Sequence, residues 1–435
     1  MHIKLGHRGA SVMTLRLRTL LCISALAKVA GASNNSSTLP PPSHCWLRYA
    51  DALPGIYDDL AKWSTDGVTA EHVDDMRKLL VRLGTSLAHD GAVFHIIDNA
   101  VYGEPLQNWT HLPTSMYASA LNALLRNYSL PDATLFITVS DHTDQILGLP
   151  YATGQERALP VFRSCKTADA ADVLLPSFAI WEHRSWRFDL LNQTIFNLPW
   201  AAREDVVYTA YWEAIATATD GRFTTRYNER GEPDHKIREA LTRFANTSDP
   251  SSWHGVRPMI NTMHSDLREW GRYKYIAHVA GTTCSNKLEK ALPLGSVMIL
   301  EEGGYISAAH RMLRPWVSYV PFYRFLPQEL RDVVNLLAAK PALGAAIAAE
   351  STRIARDYLS MDGLGCQLMM TVTEYARMQR FKPGDLVKPM GLLPYEEWML
   401  QTFTREFGHS LEKLHAYERW LLEPGYDGPY GANTG

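Results

Sequence analysis

In the stretch YKYIAHVAGTTCSNKLEKALPLGSVMILEE, residues 273–302, three residues stand where an anion could be held: Gly281, Ser285 and Lys287. The first N–H groups of a helix have no partners within it and carry about half a positive charge. A lysine in the first turn adds a full one, so a diphosphate suits such a place. Glu301 and Glu302 close the stretch and could hold ribose hydroxyls. Upstream, Asp141 and Asp144 follow the apolar run ATLFITV. A carboxylate just past the end of a strand is where a general base for a hydroxyl would sit, and also where an aspartate caps the next turn.

The elements that must position these groups follow from periodicity. Residues 273–279 alternate apolar with polar side chains and predict a strand. Small residues 280–283 allow a tight turn, residues 285–294 predict a helix stopped by Gly295-Ser296, and 297–300 read as a buried parallel strand. Together they form a strand–helix–strand unit, whose ligands sit beyond the carboxyl ends of the strands. Further strands are predicted over 93–97 and 133–139 and before Pro176. Helices are predicted over 69–87, opened by Thr69 and His72 as an irregular capping box, and over 328–337, 342–359 and 364–379. The last three are expected to pack on the second parallel sheet.

The chain has 435 residues, of which 46% are hydrophobic and 20% charged, with a formal net charge of −3. That length accommodates two packed domains. Near-neutral charge without a long basic run argues against a nucleic-acid partner held by phosphate contacts. Residues 1–32 place His2, Lys4, His7, Arg8, Arg16 and Arg18 before the apolar run 20–27. This reads as a signal peptide, with an uncleaved membrane anchor second. A polar, proline-rich linker follows over 33–44. Six N-x-[ST] sequons begin at Asn34, Asn35, Asn108, Asn127, Asn192 and Asn246, in keeping with a lumenal protein. Outside the leader Cys45, Cys165, Cys284 and Cys366 remain, an even number compatible with two disulfides in an oxidising lumen. Their pairing is left open, and Cys284 could also stay a free buried thiol. No zinc-type spacing is present, and no Lys-Asp-Glu-Leu-type retention signal closes the sequence.

Several ordered motifs resemble glycosyltransferase family 90, which includes the Rumi-type protein O-glucosyltransferases and the capsule-associated xylosyltransferases. They are Lys274-Tyr275 with Gly281, Ser285, Lys287 and Leu288; Leu292 with Gly295-Ser296-Val297; and Leu313 with Pro315-Trp316-Val317 and Tyr319-Val320-Pro321. Upstream, Pro160-Val161-Phe162, Ser164, Lys166-Thr167, Asp172, Pro176 and Trp181 keep the order of a second family segment. The resemblance, over about 132–380, implies a GT-B-like α/β architecture: two Rossmann-like domains with a nucleotide-sugar cleft between them. Residues 45–200 would form the acceptor side and 201–385 the donor side, with 386–435 an extension. It implies an inverting transfer without a metal, from a UDP-sugar donor, glucose or xylose, to a hydroxyl of a protein or glycan acceptor. Asp141 would be the general base, with Asp144 a competitor. Gly281, Ser285, Lys287 and Glu302 would hold the donor, and Lys166 and Trp181 would lie on the acceptor side. One departure matters. Relatives carry two arginines after a Tyr-Trp or Phe-Trp pair where this chain runs from Glu213 to Ala218. Arg222 or Arg226 would then replace them, or the donor would be held differently, or the chain would be an inactive sugar- or protein-binding relative. A hydrolase using Asp141, Asp144 and Glu182 ranks third.

Overall fold

The computed structural model describes residues 42–82, 91–105, 112–139, 158–167, 170–177, 198–211, 227–232, 236–261, 267–281, 284–285, 287–387 and 391–422. Its strands are β1 (Gly91–Ile97), β2 (Ala100–Gly103), β3 (Ala133–Thr138), β4 (Val161–Arg163), β5 (Cys165–Thr167), β6 (Val173–Leu174), β7 (Glu204–Ala210), β8 (Arg257–Asn261), β9 (Tyr273–His278), β10 (Val297–Glu301), β11 (Tyr305–Ser307), β12 (Val320–Phe322) and β13 (Leu393–Pro394).

One half of the molecule is built on a six-stranded sheet in the order β13-β2-β1-β3-β4-β6. Only β3, β4 and β6 run parallel; β1 is antiparallel to both its neighbours. The mixed direction has a local cause. Asp98 and Asn99 both take left-handed backbone, φ 48° and 61°, and Ile97 pairs with Ala100. That is a two-residue hairpin whose twist suits antiparallel strands. So the first unit is Rossmann-like over three strands and hairpin-built over the rest.

The other half is a five-stranded, fully parallel sheet in the order β12-β10-β9-β7-β8. Val297, Met298 and Ile299 of β10 are fully buried, as a strand covered on both faces requires. Each such side chain contributes about 1.5–3 kcal/mol by leaving water. A third, two-stranded sheet joins the halves: β5 of the first pairs antiparallel with β11 of the second.

The closing helices divide between the sheets. Helices Glu329–Ala339 and Pro341–Tyr358 pack on the second, burying Val334, Leu337 and Ile347 with Val297 and Ile299. Helix Met361–Met378, expected there too, crosses to the first: Tyr375 meets Phe162 edge-on, and Gln379 exchanges hydrogen bonds with the Thr134 backbone. Its amphipathic face is satisfied by either sheet, and periodicity does not say which. Residues beyond 390 fold back as well. β13 extends the first sheet beside β2, and Trp398 lies against Gly103 and Phe94 with its indole N–H on the Glu104 carbonyl at 2.9 Å. A Cβ at Gly103 would collide with that ring. Among the described residues no single helix is long and apolar enough to cross a membrane.

Candidate functional site

In chain order the parallel strands of the second half lie 2-1-3-4-5, so the winding reverses between β7 and β9. Ligands of such sheets bind in the crevice outside the carboxyl ends at that reversal. Here those ends are Ala210-Tyr211 and His278 to Gly281. A small cavity opens there, lined by Thr209, Tyr211, Trp270, His278, Lys287 and Met298 among others.

Lys287 crosses this crevice. Its ammonium donates to the Ala210 carbonyl and lies 5.8 Å from the centre of the Trp270 ring. A lysine has three N–H donors, so two remain for a ligand. Burial, with help from the Arg238 and Lys290 charges, lowers its pKa to about 8. The helix it starts, Lys287–Ala291, is shorter than the predicted span and continues as a 3-10 turn, Leu292–Leu294. Ser285 therefore precedes the helix. Its carbonyl accepts from the Leu288 N–H at 3.3 Å and lies 3.1 Å from the His278 Nε2. Burial drives the His278 pKa down to about 3, so its imidazole is neutral. A five-residue helix has little dipole to offer, and the positive charge here comes from side chains.

The turn after β9 is held from two sides. The Ala280 N–H donates to the Glu301 carboxylate at 2.7 Å, and the Arg238 Nε donates to the Ala280 carbonyl at 3.0 Å. Gly281 follows directly. The Arg238 guanidinium also stacks on Tyr211, 5.1 Å from the ring centre. Glu301 is thus a brace for the turn, while Glu302 stands at the strand end, its carboxylate 3.9 Å from the Arg324 Nε. Arg238 was missed by sequence reasoning. Its signal is an arginine among the apolar positions Ile237 and Leu241 of an amphipathic helix, where it is buried with them.

On the first half, Lys166 is only 6% exposed. Its amine meets the Asp59 carboxylate at 2.6 Å and donates to the Asp172 carbonyl at 3.1 Å. Arg311, from the second half, pairs with the other Asp59 oxygen, which also accepts the Leu174 N–H at 2.8 Å. Lys166 therefore serves a buried ion cluster that joins the halves, rather than presenting its amine to an acceptor. Asp172 is fully buried beside Arg163, at 3.7 Å, and burial pushes its carboxyl up to about 6. Asp141, Asp144, Trp181, Glu182, Glu213, Arg222 and Arg226 lie outside the described residues; β3 ends at Thr138, one residue before the predicted end. Both cysteine pairs are settled: Cys45 bonds Cys366 and Cys165 bonds Cys284.

The crevice thus combines two spare ammonium donors, a second cation beneath the turn and a carboxylate at the next strand end, a set suited to a nucleoside diphosphate. Residues 48–390 match the sequence model of the family described as Glycosyl transferase family 90. The chain is 23% identical over 310 residues to protein O-glucosyltransferase 2 of Danio rerio, covering 70% of this chain and 59% of that protein. It is 22% identical over 266 residues to protein O-glucosyltransferase 1 of Homo sapiens, covering 57% and 63%. To the O-glucosyltransferase rumi of Drosophila melanogaster it is 20% identical over 346 residues, covering 75% and 77%. A crystal structure of Anabaena Alr3699/HepE in complex with UDP and glucose superposes with a TM-score of 0.33 at 11% identity, over 61% of this chain and 77% of that one.

Proposed function

The chain belongs to glycosyl transferase family 90, and from that premise we propose that it is an inverting transferase moving a sugar from UDP to a hydroxyl of a protein or glycan. Glucose is the first choice of sugar, since the relatives are named O-glucosyltransferases, and xylose the second. The observation that carries the reading is Lys287, a half-buried ammonium that spends one donor on Ala210 and keeps two spare among the described residues, at the reversal point of a parallel sheet.

In the proposed step, the Asp141 carboxylate takes the proton of the acceptor hydroxyl as that oxygen bonds to the anomeric carbon. The bond from that carbon to the diphosphate oxygen breaks, and UDP leaves with the electron pair. Lys287 stabilises the charge that develops on the leaving diphosphate. Arg238 adds positive potential from beneath the turn, Gly281 and Ser285 let the backbone approach the phosphates, and Glu302 faces the ribose. No residue in this scheme requires a metal. Two disulfides fit an oxidising compartment, so the reaction is assigned to the secretory lumen.

The test is calorimetry of UDP binding in EDTA by the protein from residue 34 onward, with a Lys287→Ala variant. Micromolar binding weakened at least tenfold, about 1.4 kcal/mol, is expected. An Asp141→Asn variant should keep UDP binding and lose about two to four orders of magnitude in transfer. A second reading, an inactive binding relative, is favoured by the run Glu213 to Ala218 in place of the family's arginines. It takes over if the native chain fails to bind UDP.

A further inference from the structure

The turn that leads into the Lys287 helix is fastened to the opposite half of the molecule. Cys284, three residues before Lys287, is bonded to Cys165 at the start of β5, and the Cys284 N–H also donates to the Cys165 sulfur at 3.0 Å. Cys165 is in register with Ser307 on β11. The Ser307 hydroxyl in turn donates to Glu289 at 2.7 Å, on the helix that Lys287 begins. That short helix is therefore held before its first residue by a covalent bond and in its first turn by a buried hydrogen bond. Both attachments come from the β5–β11 ribbon. Arg238 and Glu301 fix Val279 and Ala280, at the other end of the turn.

We propose that the Cys165–Cys284 disulfide is a positioning element for the donor site. It holds Ser285 and Lys287 in the crevice and fixes their distance to the acceptor-side half. The proposal rests on the donor reading given above. Reduction by a dithiol converts the disulfide to two thiols, while the reductant becomes a disulfide. The turn then keeps its anchors at Ala280 and the Ser307–Glu289 hydrogen bond but loses the covalent one ahead of Lys287. The other pair, Cys45–Cys366, is almost fully buried and lies between the first helix and Met361–Met378, away from the crevice.

The experiment compares the native protein with a Cys165→Ser/Cys284→Ser variant in UDP calorimetry and in a transfer assay at varied donor and acceptor. The expected result is a donor KM and a UDP Kd raised about tenfold, with the acceptor KM within twofold and the melting transition still cooperative. Unchanged UDP affinity in the variant, or equal rises in both KM values, overturns the proposal. Native protein that binds no UDP would overturn the donor reading instead, which keeps the two failures apart. If the variant does not fold, the native protein is reduced with dithiothreitol and alkylated, with mass spectrometry confirming modification at Cys165 and Cys284 alone. Hydrogen exchange over 284–291 should then accelerate while exchange in β12 stays at its native rate; no local change overturns the proposal.

Discussion

If the Lys287 charge holds the diphosphate, UDP affinity must fall with the proton on that amine. Burial lowers its pKa to about 8 from 10.5. The charged form therefore predominates below about pH 8 and is lost as the pH rises through that value. At pH 7 about nine molecules in ten carry the charge, and at pH 9 about one in ten. An anion that binds only the charged form should bind about tenfold more weakly at pH 9 than at pH 7, a loss of about 1.4 kcal/mol. The neighbours leave this window clear. His278 and His310 are lowered to about 3 and about 4 and stay neutral throughout. Arg238, though lowered by burial, remains a guanidinium. The terminal phosphate of UDP is essentially fully ionised above pH 7. The assay is calorimetry between pH 6.5 and 9.5 at constant ionic strength, on the native protein and a Lys287→Arg variant whose charge does not titrate there. The native curve should decline above pH 8 while the arginine curve stays level. A level native curve, or a parallel decline in both proteins, would refute the reasoning.

Three further outcomes are expected. Asp59→Ala removes the carboxylate between two buried cations, Lys166 and Arg311, and should cost about 3–5 kcal/mol in urea unfolding. Trp398→Ala empties a 1%-exposed site against Phe94 and Gly103, and should cost about 3–5 kcal/mol in the same measurement. Sugar transfer by protein dialysed against EDTA should match that of untreated protein within twofold; loss of activity restored by a divalent cation would overturn the metal-free scheme.

The strands nearest the candidate site were legible because their signals are local. β9 alternates and β10 is an unbroken apolar run, so both were placed to within a residue or two. The start of the next helix was misplaced because Ser285 is drawn out of it, its carbonyl turned to the His278 ring and its neighbour Cys284 held by a disulfide. The disulfide partner acts from across the fold, 119 residues away. Arg238 was invisible as a site residue for the same reason: its partners Val279 and Ala280 lie some forty residues on. The cysteine pairings span 321 and 119 residues, which no spacing rule reaches. Lys166 was legible as a motif position but not in its role, because Asp59 and Arg311 come from distant segments. β2 and β13, four residues and two, are too short to show a period.

The edge pairing of β13 with β2 also orders events in time. Glu104 leaves the ribosome 294 residues ahead of Trp398, which caps its carbonyl. At about 5–20 residues per second, synthesis separates them by roughly a quarter of a minute to a minute. Throughout that interval the β2 edge and the aromatic face over Phe94 stand uncovered while the half built on the parallel sheet is still being made. An uncovered strand edge is a template for pairing with other chains, so a mutation that delays the last helices would prolong the exposure of that edge without altering the finished fold.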